Sequence, residues 1–194
     1  MSPVLGIWAS AQQSAFVVTG SYESIATVTV GSGGASNIEF SSIPSTYTHL
    51  QIRLTAEGIP ASGASVVSLD VVLNSDTSTN YSWHRIYGSG SGSGNADSAA
   101  SSSYTLGGLI NFNTSVDNIY AGGVIDILDY ANTNKYKTLR SLSGYDANGS
   151  GYVAFLSGNW RSTSAITNIK IYTNDRSYTF RQYTTFALYG IKGA

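Results

Sequence analysis

Along most of the chain, apolar and polar positions alternate with a period of two, and no stretch sustains the helical period. Over residues 47–56, Leu50, Ile52 and Leu54 share one face while His49, Gln51 and Arg53 take the other. Over 22–30, Ala26, Val28 and Val30 lie opposite Ile25, Thr27 and Thr29. Gly31-Ser32-Gly33-Gly34 follows, and Ile38 and Phe40 resume the alternation, which predicts a β-hairpin closed by a glycine turn. Strand patterns recur over 66–73, 81–87, 104–111, 120–128, 137–145, 151–157, 165–172 and 183–191. Clusters of Gly, Pro, Asn and Asp separate them, as in Asp146-Ala147-Asn148-Gly149-Ser150. Residues 88–103, GSGSGSGNADSAASSS, have little to bury, and they predict a flexible exposed Gly/Ser loop between strands. Short strands with connections of unequal length predict an all-β fold, a jelly-roll-like antiparallel β-sandwich, over a single domain at 21–194. Residues 1–20 have no clear period. They read as an extended N-terminal arm, a candidate anchor through Leu5, Ile7, Trp8 and Phe16, or else as an edge strand covering its own domain.

Composition sharpens this picture. Charged residues make up 11% of the 194, well below the roughly 25% of an average domain. Low charge signals disorder only where aromatic and β-branched residues are also scarce, and here there are 14 Tyr, 6 Phe and 3 Trp. A net charge of −1 supplies no basic field for nucleic acid or anionic lipid, and little repulsion against association with other proteins. The absence of cysteine excludes disulfides and thiolate metal sites. No run of apolar residues is long enough for a spanning helix, and residues 1–13 do not read as a secretory signal.

Candidate chemistry is sparse. His49 and His84 lie in strand patterns without further ligands or a nucleophile in register. Asp126 and Asp129 are the carboxylates closest to a glycosidase pair, but a strand through both would put them on opposite faces. The expectation is a protein that is not an enzyme and carries no cofactor. Calcium is the nearest metal candidate, through the oxygen-rich turns 129–134 and 146–150. Both also suit Asp and Asn for backbone reasons alone, and that reading weighs more. The tyrosines are the most informative group, since an apolar ring with a polar tip suits protein interfaces, sugar stacking and cross-strand pairing alike. Tyr81, Trp83 and Tyr87, with Asn174 and Arg176 on a turn, form the candidate recognition surface.

Several segments carry a resemblance. They are Pro3-Val4-Leu5-Gly6-Ile7-Trp8-Ala9-Ser10, Tyr22-Glu23-Ser24-Ile25-Ala26, residues 42–53 (SIPSTYTHLQIR), Asn80-Tyr81-Ser82-Trp83-His84, residues 126–138 (DILDYANTNKYKT) and residues 186–193 (FALYGIKG). Together they resemble a family of small virion proteins of tailed bacteriophages of aquatic bacteria, including cyanobacteria. The resemblance implies a structural protein on the exterior of the virion, assembled in the host cytoplasm, as capsid decoration, cement or tail-fibre-like appendage. Capsid or tail proteins would be its partners, and a homo-oligomer is expected, with a trimer the first expectation by analogy with other phage surface β-proteins. The alternative is a receptor-binding module for host surface glycan; a glycan-cleaving enzyme is the third reading. The family brings no catalytic residues to carry over.

Overall fold

The computed structural model describes residues 21–59, 66–90, 92, 94–112, 118–176 and 178–193. The candidate anchor residues Leu5, Ile7, Trp8 and Phe16 lie outside them. Among the described residues, twelve strands run in chain order: β1 Tyr22–Thr29, β2 Ile38–Phe40, β3 His49–Ala56, β4 Val66–Leu73, β5 Tyr81–Gly88 and β6 Asn95–Ser102. Then come β7 Thr105–Asn111, β8 Ala121–Leu128, β9 Lys137–Asp146, β10 Gly151–Trp160, β11 Ile169–Thr173 and β12 Thr185–Ile191, with a 3₁₀ turn at Asn174–Arg176.

One sheet has eight strands in the order β1-β12-β3-β8-β9-β10-β5-β6, and the other four in the order β2-β11-β4-β7. Without the hairpins β5–β6 and β9–β10, successive strands alternate between the sheets except at β4 and β7, which are neighbours in the smaller sheet. The first four (β1, β2, β3, β4) then pair antiparallel with the last four in reverse (β12, β11, β8, β7). A long antiparallel ribbon rolled onto itself in this way is a jelly roll. The two hairpins are insertions, and both join the same edge of the larger sheet. That sheet therefore has a frame half, β1-β12-β3-β8, and an extension half, β9-β10-β5-β6.

The main core fills the space between the frame half and the small sheet, where Leu50, Ile52, Leu54, Ile125, Ile127, Phe186 and Leu188 meet Ile38, Leu69, Val71, Leu73, Ile169 and Ile171. The alternation read from residues 47–56 is the alternation observed for the leucines and Ile52. A second, smaller cluster lies beneath the extension, where Leu106 and Leu109 of β7 pack with Ala154 and Leu156 of β10 and with Trp83, Tyr87 and Tyr152. The backbone of β7 bulges at this junction: Leu69 pairs with Gly108 and Asp70 with Leu106, leaving Gly107 extra. Gly108 has φ +151 and no room for a side chain against Ser143.

Three local expectations are corrected. Residues 22–30 and 38–40 do not form a hairpin: β1 pairs with β12 and β2 with β11, so the glycine turn carries the chain from one sheet to the other. Ile25 packs against the core on the same side as Ala26 and Val28, because a bulge between Ser24 and Ala26 breaks the alternation. The low-complexity stretch 88–103 is not all loop. Asn95–Ser102 forms β6, whose Ala and Ser side chains add a strand through backbone pairing with β5 while burying little.

Candidate functional site

Two surface features of the extension stand out, one on each face of the larger sheet. The outer face follows from strand register. Val124, Leu142, Phe155, Ile86 and Ala96 are consecutive cross-strand partners on β8, β9, β10, β5 and β6. With Val153 they form an apolar stripe. Ile86 is 60% exposed, Val153 57%, Phe155 51% and Leu142 50%, which is uncommon for a set of neighbouring large hydrophobic side chains. On the frame half, and reaching to Arg140 on β9, the same face is mostly polar and its side chains are tied together. Arg53 Nε donates to Gln51 Oε1 at 3.0 Å, Gln51 Nε2 to Asp126 Oδ1 at 2.8 Å, and Arg140 Nε to Asp126 Oδ2 at 2.9 Å. Arg53 also lies over the rings of Tyr22 and Tyr189, at 5.5 and 5.3 Å.

On the inner face, beside the main core, a cleft of about 310 Å³ is lined by Val66, Val67, Ser68, Arg85, Tyr87, Leu109, Tyr152, Asn174 and Tyr178. Arg85 anchors it. Its Nε and Nη2 form a bidentate pair with Asp97 at 2.6 and 2.7 Å, and Nη1 donates to Ser68 Oγ at 3.0 Å. Its guanidinium stacks over Tyr87 at 4.6 Å and lies 5.7 Å from the Trp83 ring. Nearby, Tyr145 packs against Tyr152 at 6.1 Å, and burial, with the neighbouring Tyr152, pushes its hydroxyl up to about 12.

The cleft brings together two of the candidate recognition residues, Tyr87 and Asn174. Trp83 faces the same side but is half-buried in the smaller cluster. Arg176 is exposed and stacks over Tyr172 at 5.0 Å, outside the cleft lining. Tyr81 is a correction: it is fully buried and presents no surface. Its hydroxyl accepts from Leu73 N–H at 3.0 Å and lies within hydrogen-bonding distance of the Leu73 and Asp76 carbonyls, so it holds the 74–80 loop to the sheet. Strand alternation puts Tyr81 on the inner face, and the end of the strand where it sits is covered by that loop.

The remaining polar candidates are engaged locally. His49 Nδ1 accepts the Asp129 backbone N–H at 2.9 Å, and Asp129 is paired with Lys135, whose hydrogen bond and charge hold the carboxyl below its ordinary range. His84 faces outward beside the apolar stripe, with Ser157 and Ser98 as cross-strand partners. In the turn 146–150, Asn148 and Gly149 both have positive φ (58° and 90°), and Gly149 N–H donates to Asp146 Oδ1 at 3.0 Å. This is the Asn-Gly hairpin turn, with the Asp146 carboxylate serving the backbone. Among the described residues, no three His, Asp or Glu side chains cluster as a metal site.

Two buried polar groups had no signal in the sequence. Lys137, inside a run that reads as an ordinary strand start, is fully buried. Its ammonium donates to the carbonyls of Asn132, Lys135 and Thr163, at 2.7 to 3.1 Å, and burial with the neighbouring Lys135 lowers its pKa. Glu57 is also fully buried and pairs with Arg181 at 3.1 Å.

Comparison of the chain with family models, with curated proteins and with solved structures returned no match.

Proposed function

We propose that the chain is a non-enzymatic assembly subunit on the exterior of a tailed-phage virion, acting as capsid decoration or as part of a tail appendage. The observation that carries this reading is the apolar stripe of Leu142, Val153, Phe155 and Ile86 on a sheet face that would otherwise be solvated. A net charge of −1 opposes association only weakly, and the sequence resemblance to small virion proteins points the same way. The test is the copy number of the chain in purified virions, by quantitative mass spectrometry against the major capsid protein. Hundreds of copies support shell decoration and a few tens or fewer support a tail or vertex position; absence from the particle sinks the reading.

A second reading is favoured by the inner cleft: a receptor-binding module that holds host surface glycan among Tyr87, Tyr152, Tyr178, Asn174 and Arg85. Aromatic rings beside fixed hydrogen-bonding groups are what sugar recognition uses. Titration of purified host polysaccharide into the protein tests it, with Tyr87→Ala and Asn174→Ala expected to abolish binding. Binding that survives both substitutions would place the glycan elsewhere.

A further inference from the structure

We propose that the outer face of the extension is a two-fold contact on which a second copy of this chain packs, face to face. The inference rests on the reading of the chain as an assembly subunit and adds the identity of the partner.

The shape of the face carries it. Ile86 and Phe155 are cross-strand partners and form a ridge. On one side lies a hollow of about 440 Å³, bounded by His84, Ala96, Ser98 and Ser157. On the other lies a hollow of about 500 Å³, bounded by Leu142, Val153, Gly88 and Gly94. The hollows follow from the sequence: β6 presents only Ala96 and Ser98 beside the ridge, and Gly88 opposite Val153 has no side chain. A ridge flanked by hollows fits its own copy rotated by 180°, each ridge seating in the hollow of the other. That self-complementarity is the requirement of an isologous interface.

Charge and area agree. Arg85 and Asp97, between the outward residues that bound the first hollow, turn their side chains to the inner face and pair there with each other, so two copies meet across it without a net like charge from this pair. Four strands about 4.8 Å apart and about eight residues long give a face on the order of 19 by 26 Å in projection. That is roughly 500 Å² before side-chain relief is counted, approaching the ~800 Å² per partner of a standard interface.

The test is sedimentation equilibrium of the full chain from about 1 to about 100 µM, where an interface of this size should register. The expected result is a reversible monomer–dimer equilibrium. Phe155→Ser and Ile86→Asn should each weaken it about tenfold or more, while Thr27→Ala on the frame half leaves it unchanged. All three positions face outward, and circular dichroism checks that the variants fold. Because the chain has no cysteine, Ser157→Cys supplies one thiol on the face. A short bis-maleimide should trap a dimer through it, and not through Thr27→Cys.

A chain that stays monomeric throughout, a trimer, or a dimer indifferent to Phe155→Ser would overturn the inference. Monomeric protein that binds purified particles, and loses that binding on Phe155→Ser, would assign the face to another virion protein. In that outcome the second copy is refuted while the virion reading stands. Dimerisation by a chain absent from virions would do the reverse.

Discussion

The two halves of the eight-stranded sheet share one pleat and one register, yet they finish their surfaces differently. On the frame half the outward polar side chains are tied in a row, from Arg53 through Gln51 to Asp126, and the row ends on Arg140 at the first strand of the extension. Two residues along β9 from Arg140, the row in register with Arg53, which passes through Val124, becomes Leu142, Phe155 and Ile86, with no polar partner to cover it. The inner faces differ in the same sense. The frame is backed by β2, β11 and β4 over the main core, whereas the extension adds Tyr81, Leu139 and Trp160 to that core at one end and is otherwise backed chiefly by β7 and a small cluster. The frame is closed by contacts within the chain; the extension keeps apolar surface in hand. Stability should therefore reside in the frame and intermolecular contact in the extension.

The largest effect that could break this comparison comes from the cores. Phe186→Ala in the frame removes a fully buried ring that packs edge-on against Phe180 at 5.4 Å, and should cost about 3–5 kcal/mol in urea unfolding. Leu156→Ala in the extension should cost about 2–3 kcal/mol, because a thinner cluster relaxes more readily around the cavity. Amide exchange should show β5, β6 and β10 opening at lower free energy than β3 and β12. Equal protection in both halves would mean the insertions are as integral as the frame.

A middle-sized effect tests how tightly the extension is seated on β7. At Gly158 of β10, an added Cβ would fall 2.0 Å from Thr105 Oγ1. Gly158→Ala should cost about 1–3 kcal/mol by overpacking. Thr105→Ala in the same chain should recover part of that loss, a coupling measurable by a double-mutant cycle. Absence of coupling would show that β10 shifts away from β7 freely.

The loop at 74–80 joins the small sheet to the extension, and its clamp is Asp76. Its Oδ2 accepts from Trp160 Nε1 at 2.8 Å and from Asn80 at 3.0 Å, and its Oδ1 from Ser78. Burial raises the carboxyl, but these hydrogen bonds outweigh it and bring it down to about 2. A carboxyl held below its unfolded value stabilises the fold fully above that value and loses the contribution as pH falls through about 2. Asp76→Asn should therefore cost about 1–2 kcal/mol near neutral pH. The gap to wild type should narrow below about pH 4, the ordinary carboxylate value, when chemical denaturation is repeated across that range. A gap independent of pH would mean that shape, and not charge, holds the loop.

How much of this was legible in the sequence depended on whether burial or pairing decided the outcome. Eleven strands were visible because half-buried strands alternate, as Leu50, Ile52 and Leu54 do. β6 was invisible because Asn95–Ser102 buries almost nothing and exists by backbone pairing to β5, which leaves no hydrophobic trace. The β1–β2 hairpin was misread because a glycine turn looks the same whether the chain returns to its own sheet or crosses to the other. Among the candidate recognition residues, Tyr87 and Asn174 meet in the cleft although 87 positions apart, a juxtaposition only the fold supplies. Tyr81 has the composition of a surface tyrosine and the location of a core one. The apolar stripe was present in the letters as Leu142, Val153, Phe155 and Ile86. Each strand read alone offers two faces, however, and only the register shows that the four residues share the outer one.

The smallest expected effect is the sharpest test of that last point. Ile86→Thr keeps β-branching and strand propensity while replacing the ethyl arm with a hydroxyl. If the outer face of the extension is solvated in the monomer, its unfolding free energy at low protein concentration should move by less than about 0.5 kcal/mol. Leu156→Thr, on the inner face of neighbouring β10, should cost several times as much, because it buries a hydroxyl without a partner. The two results together separate what the sheet needs in order to fold from what it holds for contact. Should Ile86→Thr destabilise the monomer as much as Leu156→Thr, the stripe would belong to the chain's own packing, and the distinction between frame and extension would fail at its outer face.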